Sequence, residues 1–362
     1  NIFNFKIINI LFDKKICTKK RFMSLIGLKV IFGIFFHFFL NLVFKKMMFF
    51  NDNLSYSNHK KLAVDNKSTL LTGGLSFLVL LFIFFEGNYY LKLFCCLIFI
   101  IGIISDLNLI NSPVKRLFFQ AIVISFFIFY FENNIYFTDI YFLDLILEYK
   151  IISYLFTIYC FLIIINGTNF IDGLNGLVIG YYILSLSILL IFILNKNISY
   201  DYSLLIILLM ILVINFPFNL FGKNFLGDSG SYLVAFIVGY VLVDFYRSHP
   251  EISALFIVTL LWYPAFENLF SIIRKKIQRF SPSKPDNKHL HQLLFIFLEK
   301  KFKFSRKFTN TLTGITINSY NLFIFFIVSN FHSETKYLVS VIILNILVYS
   351  LIYTFLKKKK MN

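Results

Sequence analysis

The chain has 362 residues, of which 58% are hydrophobic and only 15% charged. A soluble protein of this length carries about 25% charged residues, so a soluble globular class is excluded. The formal net charge is +17, and how its cations are distributed between loops fixes an orientation. The four cysteines (Cys17, Cys95, Cys96, Cys160) form no CxxC pair and suggest no disulfide framework.

Residues 1–22 precede the first convincing apolar span and have no small-residue cleavage site, so they are set aside from the fold. Met23 is the favoured start. Eleven spans (ten or eleven counted conservatively) are then predicted by length and hydropathy. They cover roughly 24–44, 70–86, 89–105, 117–131, 151–166, 174–194, 204–221, 231–246, 253–273, 310–330 and 337–356. The second and third are separated only by a Gly87-Asn88 turn, and the longest stretch outside the membrane is about 274–307. The expected fold class is therefore an all-α polytopic membrane protein. A single transmembrane domain over 23–356 would be followed by a basic tail over 357–362.

Loops after the odd-numbered spans collect most of the cations, among them Lys45, Lys60, Lys61, Lys115, Arg116, Lys223, Arg274, Lys275, Lys288 and the run Lys357 to Lys360. The opposite loops hold only Lys150, Lys196, Arg247 and Lys336, alongside acids such as Glu132 and Asp144. By the positive-inside rule the first set is cytoplasmic.

Four unusual segments share that face. In chain order they are GIISDLNLINSPVKR with Asp106, INGTNFIDGLNG with Asn166, Asn169 and Asp172, FGKNFLGDSGS with Asp228, and SPSKPDNKHLHQ with Lys288, His289 and His291. Asp-Gly and Asp-Ser-Gly are also ordinary turn chemistry, and Lys60 and Lys61 alone read as positive-inside charges. Asn166, Asn169 and Asp172 fall at i, i+3, i+6, one face of a helix near its end. Acids and amides at a membrane edge are costly without partners, so several on one face imply a site. The HLHQ histidines stand at i, i+2, a spacing that fits an extended segment better than a helical metal site. They are expected to contact phosphate.

Carboxylates are natural ligands for Mg²⁺, which keeps waters and bridges substrate phosphates. Phosphoryl transfer needs that cation, basic residues and in-line positioning. A Gly-Asp-Ser-Gly-Ser turn, with Gly227 and Ser229 flanking Asp228, lets backbone approach a diphosphate closely. Such a site in a membrane would join a water-soluble donor to a lipid acceptor.

These segments, together with SNHKKL, LTGGLSF and YPAFENLFSIIRKK in the same order, resemble the polyprenyl-phosphate N-acetylhexosamine-1-phosphate transferases of glycosyltransferase family 4, the WecA/MraY type. The histidine motif favours the WecA-like, glycan-initiating branch. The resemblance implies a catalytic set of Asp106, Asp172, Lys60 and Lys61. It gives Mg²⁺ (or Mn²⁺) to Asp228 and Asp172, and substrate contacts to Asn166, Asn169, Gly227, Ser229, Lys288, His289 and His291. The implied substrates are a UDP-sugar, by default UDP-GlcNAc, and polyprenyl phosphate in a bacterial inner membrane, with the active site facing the cytoplasm. No nucleic acid is expected, and a homodimer is left open. Three positions depart from the family pattern. Ser105 stands beside Asp106 where the family often has a second acid, Asn175 where it often has Asp, and Gln292 where it usually has His. These departures keep an inactive, scaffolding relative as one alternative, and a membrane transporter is the other.

Overall fold

The computed structural model describes residues 19–47, 70–281 and 286–361. Within them the protein is a helical bundle with no β-sheet, only an isolated bridge between Leu70 and Asn224. Helix α1 spans Lys19–Met47, α2 Gly73–Phe84, α3 Tyr89–Asp106, α4 Pro113–Phe131, α5 Tyr141–Leu147, α6 Lys150–Ile171 and α7 Leu177–Lys196. The second half runs α8 Ser203–Leu220, α9 Gly227–Ser248, α10 Ala254–Leu260, α11 Trp262–Ile277, α12 Leu290–Phe302, α13 Arg306–Ser329 and α14 Thr335–Met361.

Among the described residues nine helices are long and apolar enough to cross a membrane, or ten with one bent pair counted as a single span. The chain is a multi-pass membrane protein. The eleven expected spans are corrected at two places. The stretch expected at 70–86 forms only the 12-residue α2, about 18 Å long at 1.5 Å per residue and short of the ~30 Å hydrocarbon core. The stretch expected at 253–273 is broken into α10 and α11, which meet at 77°.

The break has a local cause. Pro264 lacks the N–H that would bond the carbonyl of Leu260 four residues earlier, so that helical hydrogen bond is lost at the break. The freed Leu260 carbonyl accepts hydrogen bonds from the Tyr181 hydroxyl at 3.0 Å and the Ser185 hydroxyl at 3.1 Å. In the membrane such a carbonyl has no water to turn to, so α7 fixes the break.

The core runs along α9, which is buried over most of its length and packs against α3, α6 and α2. Glycine permits that approach at the end that matters. A Cβ on Gly74 would sit 2.6 Å from the backbone of Gly230, and one on Gly102 would collide with the backbone of Ser229. Helices α2 and α3 thus lie backbone to backbone on the first turn of α9. The segment ahead of α9 is tied to the same place, Phe225 N–H donating to Leu70 at 2.9 Å and Gly73 N–H to Phe225 at 3.0 Å. By contrast α1, α4 and α14 expose rows of Phe, Ile and Leu, the lipid-facing side of the bundle.

The stretch expected as a long loop, 274–307, is also corrected: α11 runs on to Ile277 and α12 occupies Leu290–Phe302. The HLHQ histidines belong to a helix start and not to an extended loop. His289 is the extended residue just before α12 and His291 lies in its first turn. Gln292 accepts a hydrogen bond from the His289 backbone N–H at 3.2 Å, half of a capping box.

Candidate active site

The last residue of α3 and the first turn of α9 are joined by one carboxylate. Asp106 Oδ1 accepts from the Asp228 N–H at 2.8 Å and Oδ2 from the Ser229 N–H at 3.0 Å. The first amides of a helix have no partner of their own, and negative charge there is favoured, so Asp106 caps α9 from outside. Gly227 makes room for it. Its φ is +72°, and a Cβ there would lie 2.8 Å from Asp106 Oδ2.

That cap aims Asp228 at the neighbouring helices. Asp228 Oδ2 accepts from the Ser105 hydroxyl at 2.5 Å and from Arg116 Nη1 at 2.9 Å, and Arg116 Nη1 also donates to Ser105 Oγ at 2.7 Å. Asp228 is 9% exposed and Arg116 24%, so the guanidinium forms the open side of the pair. Tyr232, one turn along α9, places its hydroxyl 3.5 Å from Asp228 Oδ2 and receives the Asn169 amide at 3.0 Å. Asn166, one turn earlier on α6, donates instead to Gln120 on α4 at 2.9 Å.

Asp172 is the residue at which α6 ends, half-buried and followed by a turn that is held from three sides. Asn310 accepts from the Asn175 N–H at 2.7 Å and Asn219 from the Gly176 N–H at 2.8 Å, while Asn318 donates to the Gly176 and Leu177 carbonyls. Asn219 in turn donates to the Asn224 carbonyl at 3.0 Å, and Asn224 meets His37 at 2.8 Å, itself bonded to Ser76. Asn175 belongs to this scaffold: its side chain donates to Thr311 at 3.4 Å, a bond an Asp could not make.

The histidine segment packs beside α6. The Phe170 ring lies 5.3 Å from that of His289, and the buried Lys275 sits 5.9 Å from the Phe170 ring. His289 Nδ1 lies 2.9 Å from Glu267 Oε1, and Tyr349 of α14 donates to Glu267 Oε2 at 2.8 Å. Asp286 joins the group, 3.7 Å from His289 Nε2 and paired with Arg274 at 2.8 Å. Burial pushes the Asp286 carboxyl up, but the hydrogen bond and charge of Arg274 outweigh it and hold the group below its ordinary value. His291 is fully buried, neither ring nitrogen has a hydrogen-bond partner, and burial drags its pKa down to about 3. Lys288 is exposed, over the Phe280 ring.

The structure therefore gathers Asp106, Asn169, Gly227, Asp228 and Ser229 at one place, with His289 next to the same end of α6. Asn166 and His291 are turned to protein partners or protein interior. Lys60 and Lys61 lie outside the described residues. Reading the sequence overlooked Arg116, Tyr232 and Glu267. Tyr232 was legible as the i+4 neighbour of Asp228, and Glu267 as an acid inside the predicted span 253–273, where an ionisable group points to a functional site. Arg116 was counted only as a positive-inside charge.

Hard oxygen donors suit Mg²⁺, and Asp228, Asp172 and Asp106 are of that kind. Among the described residues no three His, Cys, Asp or Glu side chains gather into a ready-made metal cage. The donor set thus fits an ion that keeps waters and takes its remaining ligands from substrate phosphates.

The fold and site are those of a multi-pass membrane protein that gathers two carboxylates and an arginine at the first turn of its most buried helix. Residues 88–246, from the start of α3 almost to the end of α9, match the family described as glycosyl transferase family 4. The chain is 26% identical over 252 residues to the undecaprenyl-phosphate alpha-N-acetylglucosaminyl 1-phosphate transferase of Thermotoga maritima, covering 69% of this chain and 72% of that protein. It is 30% identical over 140 residues to a probable undecaprenyl-phosphate N-acetylglucosaminyl 1-phosphate transferase of Bacillus subtilis, covering 37% of this chain and 38% of that one. A decaprenyl-phosphate N-acetylglucosaminephosphotransferase of Mycolicibacterium smegmatis matches at 27% over 154 residues, 36% of this chain and 37% of the relative. Over residues 88–246 the chain is thus similar to glycosyl transferase family 4.

Proposed function

We propose that the protein transfers a sugar-1-phosphate, N-acetylhexosamine-1-phosphate by default, from a UDP-sugar to polyprenyl phosphate, at the cytoplasmic face of a bacterial inner membrane. A phosphate oxygen of the lipid attacks the β-phosphorus of the UDP-sugar. The bond from that phosphorus to the bridging oxygen breaks, UMP leaves, and a lipid-linked diphosphosugar remains. One anhydride replaces another, so the step is readily reversible.

The observation that carries this reading is the Asp106–Asp228–Arg116 cluster at the first turn of α9, within the stretch that matches the family. Asp106 holds the α9 amides, Asp228 and Asp172 would hold Mg²⁺, and Arg116 supplies a cation for the transferred phosphates. When bound, Mg²⁺ neutralises charge on the diphosphate. Asn169 positions Tyr232 against Asp228. Ser105 has no basic group, and the lipid phosphate is largely ionised at neutral pH, so a direct attack fits better than one through a covalent enzyme intermediate.

The test is an assay of purified protein with polyprenyl phosphate, Mg²⁺ and a panel of UDP-N-acetyl sugars, scoring UMP release and butanol-extractable sugar together. Asp228→Asn should lower turnover at least about 10²–10³-fold, the scale of losing one preorganised electrostatic contact. EDTA should abolish it, and Mg²⁺ or Mn²⁺ should restore it. Turnover undiminished by chelator removes the metal, and a folded protein giving neither signal with any sugar overturns the function.

A further inference from the structure

We infer that Arg116 is a resident counter-ion for Asp228, held there by Ser105, and that it competes with the divalent cation until substrate draws it away. This rests on the transferase reading above and concerns how the site is loaded. Three distances carry it. The Ser105 hydroxyl bridges the two groups, 2.5 Å from Asp228 Oδ2 and 2.7 Å from Arg116 Nη1, while the direct ion pair is 2.9 Å. One guanidinium nitrogen therefore donates to the carboxylate that would hold a metal ion.

Two features make this arrangement a competition. First, position 105 holds a neutral hydroxyl. A carboxylate there would stand within hydrogen-bond reach of Asp228 and would need a cation between the two. Serine adds no negative charge there, so the Arg116 guanidinium meets Asp228 without a further carboxylate at position 105. Second, the pair is unevenly exposed, 9% for Asp228 against 24% for Arg116. The carboxylate is fixed by the α9 first turn, whereas the arginine stands on the first turn of α4 with part of its head open. An incoming diphosphate offers that planar guanidinium a doubly charged partner that it can bind through two N–H groups. Mg²⁺ sheds water reluctantly, so displacing a formed ion pair at Asp228 adds to the cost of entry. Loading is then ordered: cation and phosphate arrive together, and Arg116 moves from carboxylate to phosphate.

The experiment measures Mn²⁺ binding by the loss of the free-ion electron spin resonance signal, on detergent-solubilised full-length protein. It is run first without substrates and then with UDP-GlcNAc and polyprenyl phosphate. Without substrates, Arg116→Met is expected to bind Mn²⁺ about tenfold more tightly than the wild type, a change of about 1.4 kcal/mol. Arg116→Lys, which keeps the charge, should stay within about twofold of wild type. Ser105→Ala, which loosens the pair, should fall between them. Circular dichroism and melting confirm that each variant is folded. Unchanged or weaker binding by a folded Arg116→Met overturns the inference while leaving the transferase reading intact. Binding by no variant, even with both substrates present, overturns the inference and the metal together, and the UMP-release assay then reports separately on the transferase.

Discussion

Two clusters of ionisable groups flank the end of α6, and neighbouring residues face them: Asn169 donates to Tyr232 in one, and Phe170 packs on His289 in the other. In the first, Asp228 is balanced by a guanidinium that is a quarter exposed. In the second, Glu267 is 1% exposed and both its oxygens are taken, by His289 and Leu290 on one side and Tyr349 on the other. The first holds its charge with a partner that has a way out. The second ties α11, α12 and α14 together with partners that have none. Removing one member of a buried pair leaves an uncompensated charge, which is far costlier than the pair is worth. Exchange of partners is therefore open to the Asp228 side, as the proposed function requires, whereas the Glu267 side is fixed.

The largest effect should come from breaking the fixed side. Glu267→Ala strands His289, the Leu290 N–H and the Tyr349 hydroxyl, and is expected to cost about 3–5 kcal/mol. The melting temperature in detergent should fall sharply, while Arg116→Met should change it much less. Equal melting temperatures for the two variants would erase the distinction between the clusters.

The same contrast explains what could be read before the fold was known. Asp106, Asn169, Asp172 and Asp228 were legible because a charge or amide at a membrane edge stands out against apolar neighbours, and because Gly-Asp and Asp-Gly pairs mark turns. Nine of the eleven spans were legible for the same reason: their hydropathy is unambiguous over the length of a bilayer. The break at Leu261 was not, although Pro264 marks it, because the apolar run continues across it. The length of α2 was not either, since Leu70 and Leu71 before it and Phe85 after it extend the apolar run in non-helical backbone. The Arg116 ion pair spans 112 residues and Tyr349–Glu267 spans 82. Pairing at such distances is set by packing, here by glycines that let α3 touch α9, and no local pattern encodes it. Asn175 and Gln292 looked like losses in the sequence, yet in the structure each makes a hydrogen bond of its own.

A smaller effect sharpens the fixed side through pH. His291 is neutral in the folded protein down to about pH 3, against an ordinary value of 6.5. Burial is the main cause; Glu267 works against it and His289 with it. The unfolded chain takes up a proton below pH 6.5 and the folded one does not, so this contribution is intact above pH 6.5 and lost as pH falls. At pH 5 the loss is about 2 kcal/mol, from 1.36 kcal/mol per pH unit below 6.5. The melting temperature should therefore fall between pH 7 and pH 5, and the slope should flatten in His291→Phe. An unchanged slope in that variant would place the titrating group elsewhere.

The smallest effect tests whether the exchanging side depends on its geometry or only on its charges. Tyr232→Phe leaves every charge at Asp228 in place and removes one hydroxyl. That hydroxyl lies 3.5 Å from Asp228 Oδ2, a weak contact, but it is also the acceptor for the buried Asn169 amide at 3.0 Å. Leaving such an amide without its partner costs about 1–3 kcal/mol, and part of that should appear as a turned Asn169 side chain. If Asn169 and Tyr232 act by holding the Asp228 carboxylate in line, the variant should lose about fivefold in kcat with KM for the UDP-sugar nearly unchanged, the pattern of a contact made in the transition state. Asn169→Ala, which removes the other half of the same link, should lose a similar amount. The double variant should lose no more than either alone, because both cut one chain of contacts. Additive losses would mean that Asn169 reaches the substrate on its own account, and the positioning role assigned to Tyr232 would then fall.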